Sequence, residues 1–423
     1  MTTANANMSV AQTKATSCRH CSAPLRHTFV NLGMSPLCES FIGPDQLNAM
    51  EPYYPLHVLV CENCFLVQLE EYVSPQHIFS DYAYFSSYST SWVAHAKKYC
   101  QMITERLKLG PKSLAVEIAS NDGYLLQHFG PLGVPVLGIE PAANVAEVAR
   151  QKGISTHVGF FGTKLATQLA GANQKADLIV ANNVLAHVPN INDFVAGIQC
   201  LLKADGIATL EFPHIAQLIA QNQFDTIYHE HFSYLSASIV QRIALAHGLR
   251  MVDVEELSTH GGSLRVYLAH VTSSHPTQQG VEELFERENR LGLRSLDGYA
   301  LFPEQVKKTK RELLHFLISA KNQGKRICGY GAPGKGNTLL NYCGIGTDFL
   351  DFTVDRNPRK HGRYTPGMHI PIKPVEEIDA FRPDYILILP WNLRDEIVEQ
   401  MKHVKNWGAK FVVPIPTVSV IDP

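Results

Sequence analysis

Apolar residues follow two periods along this chain. Trp92, Ala96, Tyr99, Cys100, Ile103 and Leu107 recur at helical spacing, and Gly110-Pro111 ends that run. Apolar runs of strand length then alternate with helix-period segments. SLAVEIA, VPVLGIE, ADLIVAN and GIATLEF read as strands, with AANVAEVARQKG and INDFVAGIQCLLK as helices between them. Such alternation predicts a parallel sheet with helices on both faces. After the helix-like SIVQRIALAHG, two more strands are expected in RMVDVEEL and SLRVYLAH, and the THGG between them permits an antiparallel pair. A charged helical stretch over 281–323 leads into a second, smaller βα series. Its strands are KRICGYG, LDFTVD, YILILPW and KFVVPIP, and its helices GKGNTLLNY and NLRDEIVEQMKH.

The N-terminal part differs. Residues 1 to 16 read as a disordered tail, or in part a cloning remnant. From Cys18 to about Tyr72 the chain is Pro-rich with short alternating runs such as LHVLVC, which predicts a few strands around a stapled centre. An aromatic linker, SPQHIFSDYAYFSSYS, follows. The expected fold class is α/β in three parts: 1–78 a tail and small zinc-binding domain, 79–275 a Rossmann-like domain, and 276–423 a second Rossmann-like domain. A parallel sheet closed by a late hairpin is the arrangement common to S-adenosylmethionine methyltransferases.

Composition narrows the function. At 423 residues, 45% apolar and 18% charged, the chain suits two or three soluble domains. A net charge of −2 removes the main electrostatic argument for a nucleic-acid partner. No segment holds ~18 consecutive apolar residues, so no membrane span is expected. The start, MTTANANMSVAQTKATS, lacks an apolar core, so no signal peptide is expected. Nine cysteines, an odd number, then point to reduced thiols or metal ligands in a cytoplasmic protein.

Four of those cysteines form two CxxC knuckles, Cys18/Cys21 and Cys61/Cys64. Four thiolates suit closed tetrahedral zinc, and the ~40 residues between the knuckles add little to the cost of closure. Reduced pairs and a redox disulfide are the rival readings, though neither pair sits in a thioredoxin-like βαβ context. No fifth ligand is evident, so the zinc is expected to be structural. His20, between ligands, is expected to be exposed. Cys38, Cys100, Cys200, Cys328 and Cys343 are scattered thiols of core or surface.

The strand SLAVEIA runs into SNDG, so Glu117 and then Asn121-Asp122-Gly123 lie where an open α/β sheet binds ligands. Glu140 ends the next strand, where a carboxylate can accept from ribose hydroxyls. One glycine in the turn, rather than three, favours a cofactor without pyrophosphate, S-adenosylmethionine above all. Asn182-Asn183 ends the third strand and His187 follows, in the same mouth. After the fourth strand, FDTIYHEHFSY packs Tyr228, His229, Glu230 and His231 together, a candidate acid/base cluster at neutral pH. A metal site at His-x-His and an idle aromatic loop are the alternatives. Gly329, Gly331 and Gly334 of GYGAPGKG satisfy GxGxxG, and Asp355 closes the next strand. That is the case for an NAD-dependent oxidoreductase; a scaffold that binds no dinucleotide is the alternative. Lys335 and Asn337 stand where a helix start can meet a phosphate.

The CxxC pairs, SNDG, GIEP, NNVLAHV, YHEHFSY and GYGAPGKGNTLLNY occur in one order across roughly residues 18 to 415. Together they resemble the sugar C-methyltransferases that act on deoxysugar nucleotides, such as the C-3′-methyltransferases of tetronitrose biosynthesis. The resemblance implies a dTDP-linked 4-keto-6-deoxy sugar methylated at carbon 3. It implies His231 as the base, with Tyr228 beside it and Glu230 nearby. Asn183 and His187 would line the sugar pocket, and His229, Tyr228 or His187 would stabilise the enolate. Asn121, Asp122, Gly123 and Glu140 would hold S-adenosylmethionine, joined by Glu117 and Asn182. Tyr82 and Tyr84 would lie over it. The C-terminal domain would help hold the nucleotide without NAD. An O- or N-methyltransferase is the other enzyme class open to this residue set.

Overall fold

A computed structural model describes residues 16–74 and 85–423. The strands are β1 (His27–Ser35), β2 (Tyr54–Val60), β3 (Val67–Leu69), β4 (Ala115–Ile118), β5 (Val136–Glu140), β6 (Thr156–Val158), β7 (Ala176–Asn182), β8 (Leu202–Pro213), β9 (Ser233–Tyr234), β10 (Leu249–Leu257) and β11 (Ser263–His270). The C-terminal part adds β12 (Ile327–Tyr330), β13 (Thr353–Val354), β14 (Ile372–Lys373), β15 (Tyr385–Ile388), β16 (Lys410–Val413) and β17 (Ser419–Ile421).

They form three sheets, in the orders β1-β2-β3-β9, β10-β11-β8-β7-β4-β5-β6 and β14-β13-β12-β15-β16-β17. In the central sheet β4 to β8 are parallel, and the late hairpin β10–β11 joins antiparallel to β8. This is the mixed α/β sheet of Rossmann-like methyltransferases. Strand order reverses between β4 and β7, so the switch-point crevice lies above their carboxyl ends. Both faces of this sheet are covered. On β7, Leu178 and Val180 join the core under the helix Thr90–Leu107, while Ile179 and Ala181 face the helices Thr163–Gly171 and Ile191–Leu201. A strand buried on both sides reads as an unbroken apolar run, which is why ADLIVAN is visible in the sequence.

Three departures from the expected elements bear on the site. SNDG leads into two single 3-10 turns, Leu126–His128 and Gly130–Leu132, and not directly into a helix; Gly130-Pro131 breaks the chain there. Strand β9, immediately after YHEH, belongs to the N-terminal sheet, pairing with β3 through Val67↔Tyr234 and Gln68↔Ser233. The N-terminal and C-terminal parts also share one core. Phe29 of β1 stacks on Phe302 of the helix Phe302–Asn322, with ring centroids 4.6 Å apart.

Candidate active site and cysteine centre

The two CxxC knuckles have the same backbone. Ser22 and Phe65, each following a second cysteine, are left-handed at φ 61°, and their N–H groups return to the carbonyls of Cys18 and Cys61. The four sulfurs lie within 4.8 Å of one another, with Cys18–Cys64 and Cys21–Cys61 at 3.5 Å. A zinc ion bonded to four sulfurs at ~2.3 Å holds them about 3.8 Å apart, so the cluster fits a closed tetrahedral ion. The contact between the two thiols favours the ionised form of Cys18 and raises Cys64. Gln68 of β3 donates to Cys18 Sγ at 3.2 Å. His20 is only partly exposed, contrary to expectation; its Nδ1 meets Asn192 Oδ1 at 2.9 Å, docking the first knuckle on a helix start of the central domain.

At the switch point the chain turns sharply. Ala119, Asn121 and Gly123 have φ of 54°, 50° and 76°. At Gly123 only glycine fits, since an added Cβ would lie 2.2 Å from Ile154 Cδ1. Glu140 at the end of β5 accepts from the Asn121 and Ala142 N–H groups, at 2.9 and 2.8 Å. Each carboxylate oxygen keeps a second lone pair for a ligand. Burial, then the neighbouring Glu140, pushes the Glu117 carboxyl well up. Glu117 Oε2 and Asn182 Oδ1 are buried and lack hydrogen-bond partners among the described residues. These orphaned atoms at the ends of β4 and β7 fit a polar small molecule in the crevice. Ser86 N–H donates to Asn121 Oδ1 at 2.8 Å and Ser87 Oγ donates to Asp122, which also pairs with Lys152 at 3.0 Å. The described end of the aromatic linker thus lies across SNDG. Tyr82 and Tyr84 fall outside the described residues.

Beside this mouth stands the YHEH loop. Phe232 N–H donates to Ala186 O at 2.8 Å, pinning the loop to the turn after β7. His231 lies 4.7 Å from His187 and 4.1 Å from Tyr228, ring centroid to centroid. Its Nδ1 is 2.9 Å from Thr226 O. A carbonyl only accepts, so Nδ1 carries the hydrogen and Nε2 keeps its lone pair. Burial, then His187, holds the His231 pKa well below the ordinary imidazole value. His187 bonds to the Glu230 backbone, and burial lowers it to about 4. Both residues are only partly buried.

Two members of the motif turn away. His229 is 3% exposed, with Nε2 3.2 Å from Pro55 O and its ring between Tyr54 and Tyr72. It clamps the N-terminal domain, which corrects its expected place among the substrate contacts. Glu230 is buried beside Cys38, 3.9 Å away, rather than beside the His231 ring; burial, then Glu39, raises it to about 8.

Comparison with known proteins decides the family. The C-methyltransferase NovU of Streptomyces niveus is 34% identical over 405 residues, covering 96% of each chain. This chain belongs to the C-methyltransferase family. Residues 18–79 match a zinc binding domain, 92–254 a methyltransferase domain and 258–416 a C-methyltransferase C-terminal domain. A ubiquinone biosynthesis O-methyltransferase of Bartonella quintana is 29% identical over 93 residues, 22% of this chain and 38% of its own. A solved S-adenosylmethionine-dependent methyltransferase from Anabaena variabilis superposes with a TM-score of 0.36 at 13% identity, covering 42% of this chain and 86% of its own. The enzyme is therefore an S-adenosylmethionine-dependent C-methyltransferase with a structural zinc in its N-terminal domain.

In this C-methyltransferase the C-terminal glycine-rich turn is already filled. Glu39 Oε1 lies 3.2 Å from where a Cβ at Gly334 would stand, and its carboxylate pairs with Lys360 at 3.8 Å. A Cβ at Gly334 would lie 3.0 Å from Cys38 Sγ, and one at Gly331 would lie 2.6 Å from Pro390 Cδ. Both oxygens of Asp355 serve the chain itself, accepting from Ala332 and Asn357 at 2.8 Å. A dinucleotide would find a carboxylate standing at its pyrophosphate cradle. Asn337 is buried and donates to Cys38 O at 2.6 Å, which corrects its expected phosphate contact. Lys335 is only partly buried. It lies 4.6 Å above the Trp391 ring and donates to Asn392 at 2.8 Å.

The sequence reading missed a buried charge network behind the mouth. Glu211 accepts from Arg265 Nε at 2.8 Å and meets His95 at 3.2 Å. These partners hold the Glu211 carboxyl low in spite of its burial. Glu211 O also accepts from Asn183 N–H at 2.8 Å, fixing that residue at φ 56°. Only the alternation of polar residues into apolar strands β8 and β11 signals it.

Proposed function

We propose that this C-methyltransferase methylates carbon 3 of a dTDP-linked 4-keto-6-deoxy sugar, with His231 as the base. The observation that carries this reading is the Thr226 carbonyl at Nδ1, which leaves Nε2 of a desolvated imidazole as acceptor beside the cofactor mouth. The motif resemblance supplies the sugar class. The C-3 proton passes to Nε2, and the C–H electron pair becomes the C=C bond of an enolate whose charge rests on the C-4 oxygen. Tyr228 and His187 border that charge, and the Lys335 ammonium favours an anionic substrate nearby. Bound S-adenosylmethionine supplies an electrophilic methyl group. Glu117, Asn121, Asp122, Gly123, Glu140 and Asn182 would hold it, and Asn183 and His187 would line the sugar side. Glu230, raised by burial, would act on the loop from behind. Reduced cysteines and a four-cysteine metal centre support a cytoplasmic location.

The test incubates the enzyme with methyl-labelled S-adenosylmethionine and dTDP-, UDP- and GDP-linked 4-keto-6-deoxy sugars. A new carbon-bound methyl at C-3, seen by NMR, is expected with the dTDP sugar. A methyl on oxygen or nitrogen, or no transfer to any 4-keto sugar, would overturn the reading.

A further inference from the structure

The turn between β10 and β11 places a third imidazole at the crevice, which the mechanism above does not use. His260 is held left-handed at φ 53°, ψ 23°. Its turn is fixed from all sides. Gly261 O accepts from Gln223 Nε2 at 2.7 Å, Gly262 O accepts from His214 N–H at 3.1 Å, and a Cβ at Gly261 would lie 2.7 Å from the Trp391 ring. The ring meets the edge of Trp92 at 5.3 Å, and its Nε2 is 3.3 Å from Asn183 Nδ2. An amide nitrogen only donates, so Nε2 accepts and Nδ1 carries the hydrogen. Burial lowers this imidazole to about 4, so at neutral pH it is uncharged and still a donor. Residue 260 is exposed to solvent. A left-handed non-glycine residue is strained, and strain held this firmly gathers at functional positions.

We propose that His260 is a substrate contact of the C-methyltransferase, donating from Nδ1 to the carbonyl oxygen that becomes the enolate. This rests on the enolate reading above and adds the donor on which the developing charge settles. Two variants separate ring from backbone. His260→Gly accepts the left-handed conformation without strain but removes the donor. His260→Asn also tolerates that conformation and keeps an N–H donor at the Nδ position. The readouts are kcat, KM, thermal midpoint, and exchange of the sugar C-3 hydrogen into heavy water without methyl transfer. His260→Gly is expected to keep the thermal midpoint and lose roughly 10²–10³ in kcat and in exchange. His260→Asn should recover most of that loss. Wild-type rates in His260→Gly, or equal impairment of the two variants, would overturn the assignment. Wild-type enzyme that methylates a sugar carbon without ever exchanging C-3 hydrogen would instead defeat the enolate reading and this inference with it.

Discussion

A buried imidazole serves as a base only in the right tautomer, and at position 231 one backbone carbonyl makes that choice. Desolvation then sets the pH range. Because burial lowers the His231 pKa, the neutral form persists as pH falls through 6.5, and the base is lost only at lower pH. The acid limb of kcat/KM is therefore expected below pH 6.5. His231→Ala should abolish that limb and slow turnover by ~10²–10⁴. An acid limb centred at or above 6.5, or a variant within a few-fold of wild type, would count against the assignment. His231 was visible in the sequence because two histidines, a carboxylate and a phenol crowd four positions. The direction of each was not. His229 faces Pro55 and Glu230 faces Cys38, partners far away in the chain, and no local period governs a loop. His260 was hidden for a related reason: THGG reads as a hairpin turn until the fold sets it against Asn183.

Elements that carry strong local signals were readable, and those made by pairing were not. β7 and β11 match ADLIVAN and SLRVYLAH because buried strands are continuous apolar runs. β9 has two residues, no period of its own, and exists because β3 offers it hydrogen bonds. That pairing joins the cysteine centre to the reacting loop: Cys18 holds Gln68, Gln68 lies in β3, β3 binds β9, and β9 follows His231 within two residues. The proposed cofactor side of the mouth, by contrast, is built from β4, β5 and β7. Removing zinc with a chelator is thus expected to abolish methyl transfer while binding of S-adenosylhomocysteine, read by calorimetry, persists. Gln68→Ala should weaken zinc by roughly 10- to 100-fold. Full activity in metal-free enzyme, confirmed by elemental analysis, would break the proposed link.

The three domains meet at buried acids, and this makes the assembled molecule sensitive to pH in a defined direction. Asp225 accepts from Trp391 Nε1 of the C-terminal domain at 2.7 Å, while Glu230 faces Cys38 and Glu39 of the N-terminal domain. Burial raises Asp225 to about 7, moderated by Lys335 and Trp391, and raises Glu230 to about 8. Unfolded carboxyls ionise near pH 4, so above that the folded chain binds more protons than the unfolded one. Stability from these two groups is then complete below pH ~4 and falls as pH rises, with the loss finished beyond the folded values. The crevice imidazoles act in the opposite sense. His187 and His260, lowered to about 4, add stability as pH rises towards 6.5 and nothing further once unfolded imidazoles are neutral. The acids therefore stand clear of the histidines between about pH 7 and 8.5, where the thermal midpoint is expected to fall. Glu230→Gln cannot ionise and still fills the space beside Cys38, so its midpoint should fall less over that interval. Parallel slopes for the two proteins would show that Glu230 is ionised in the folded enzyme and that its burial between domains does not govern their docking.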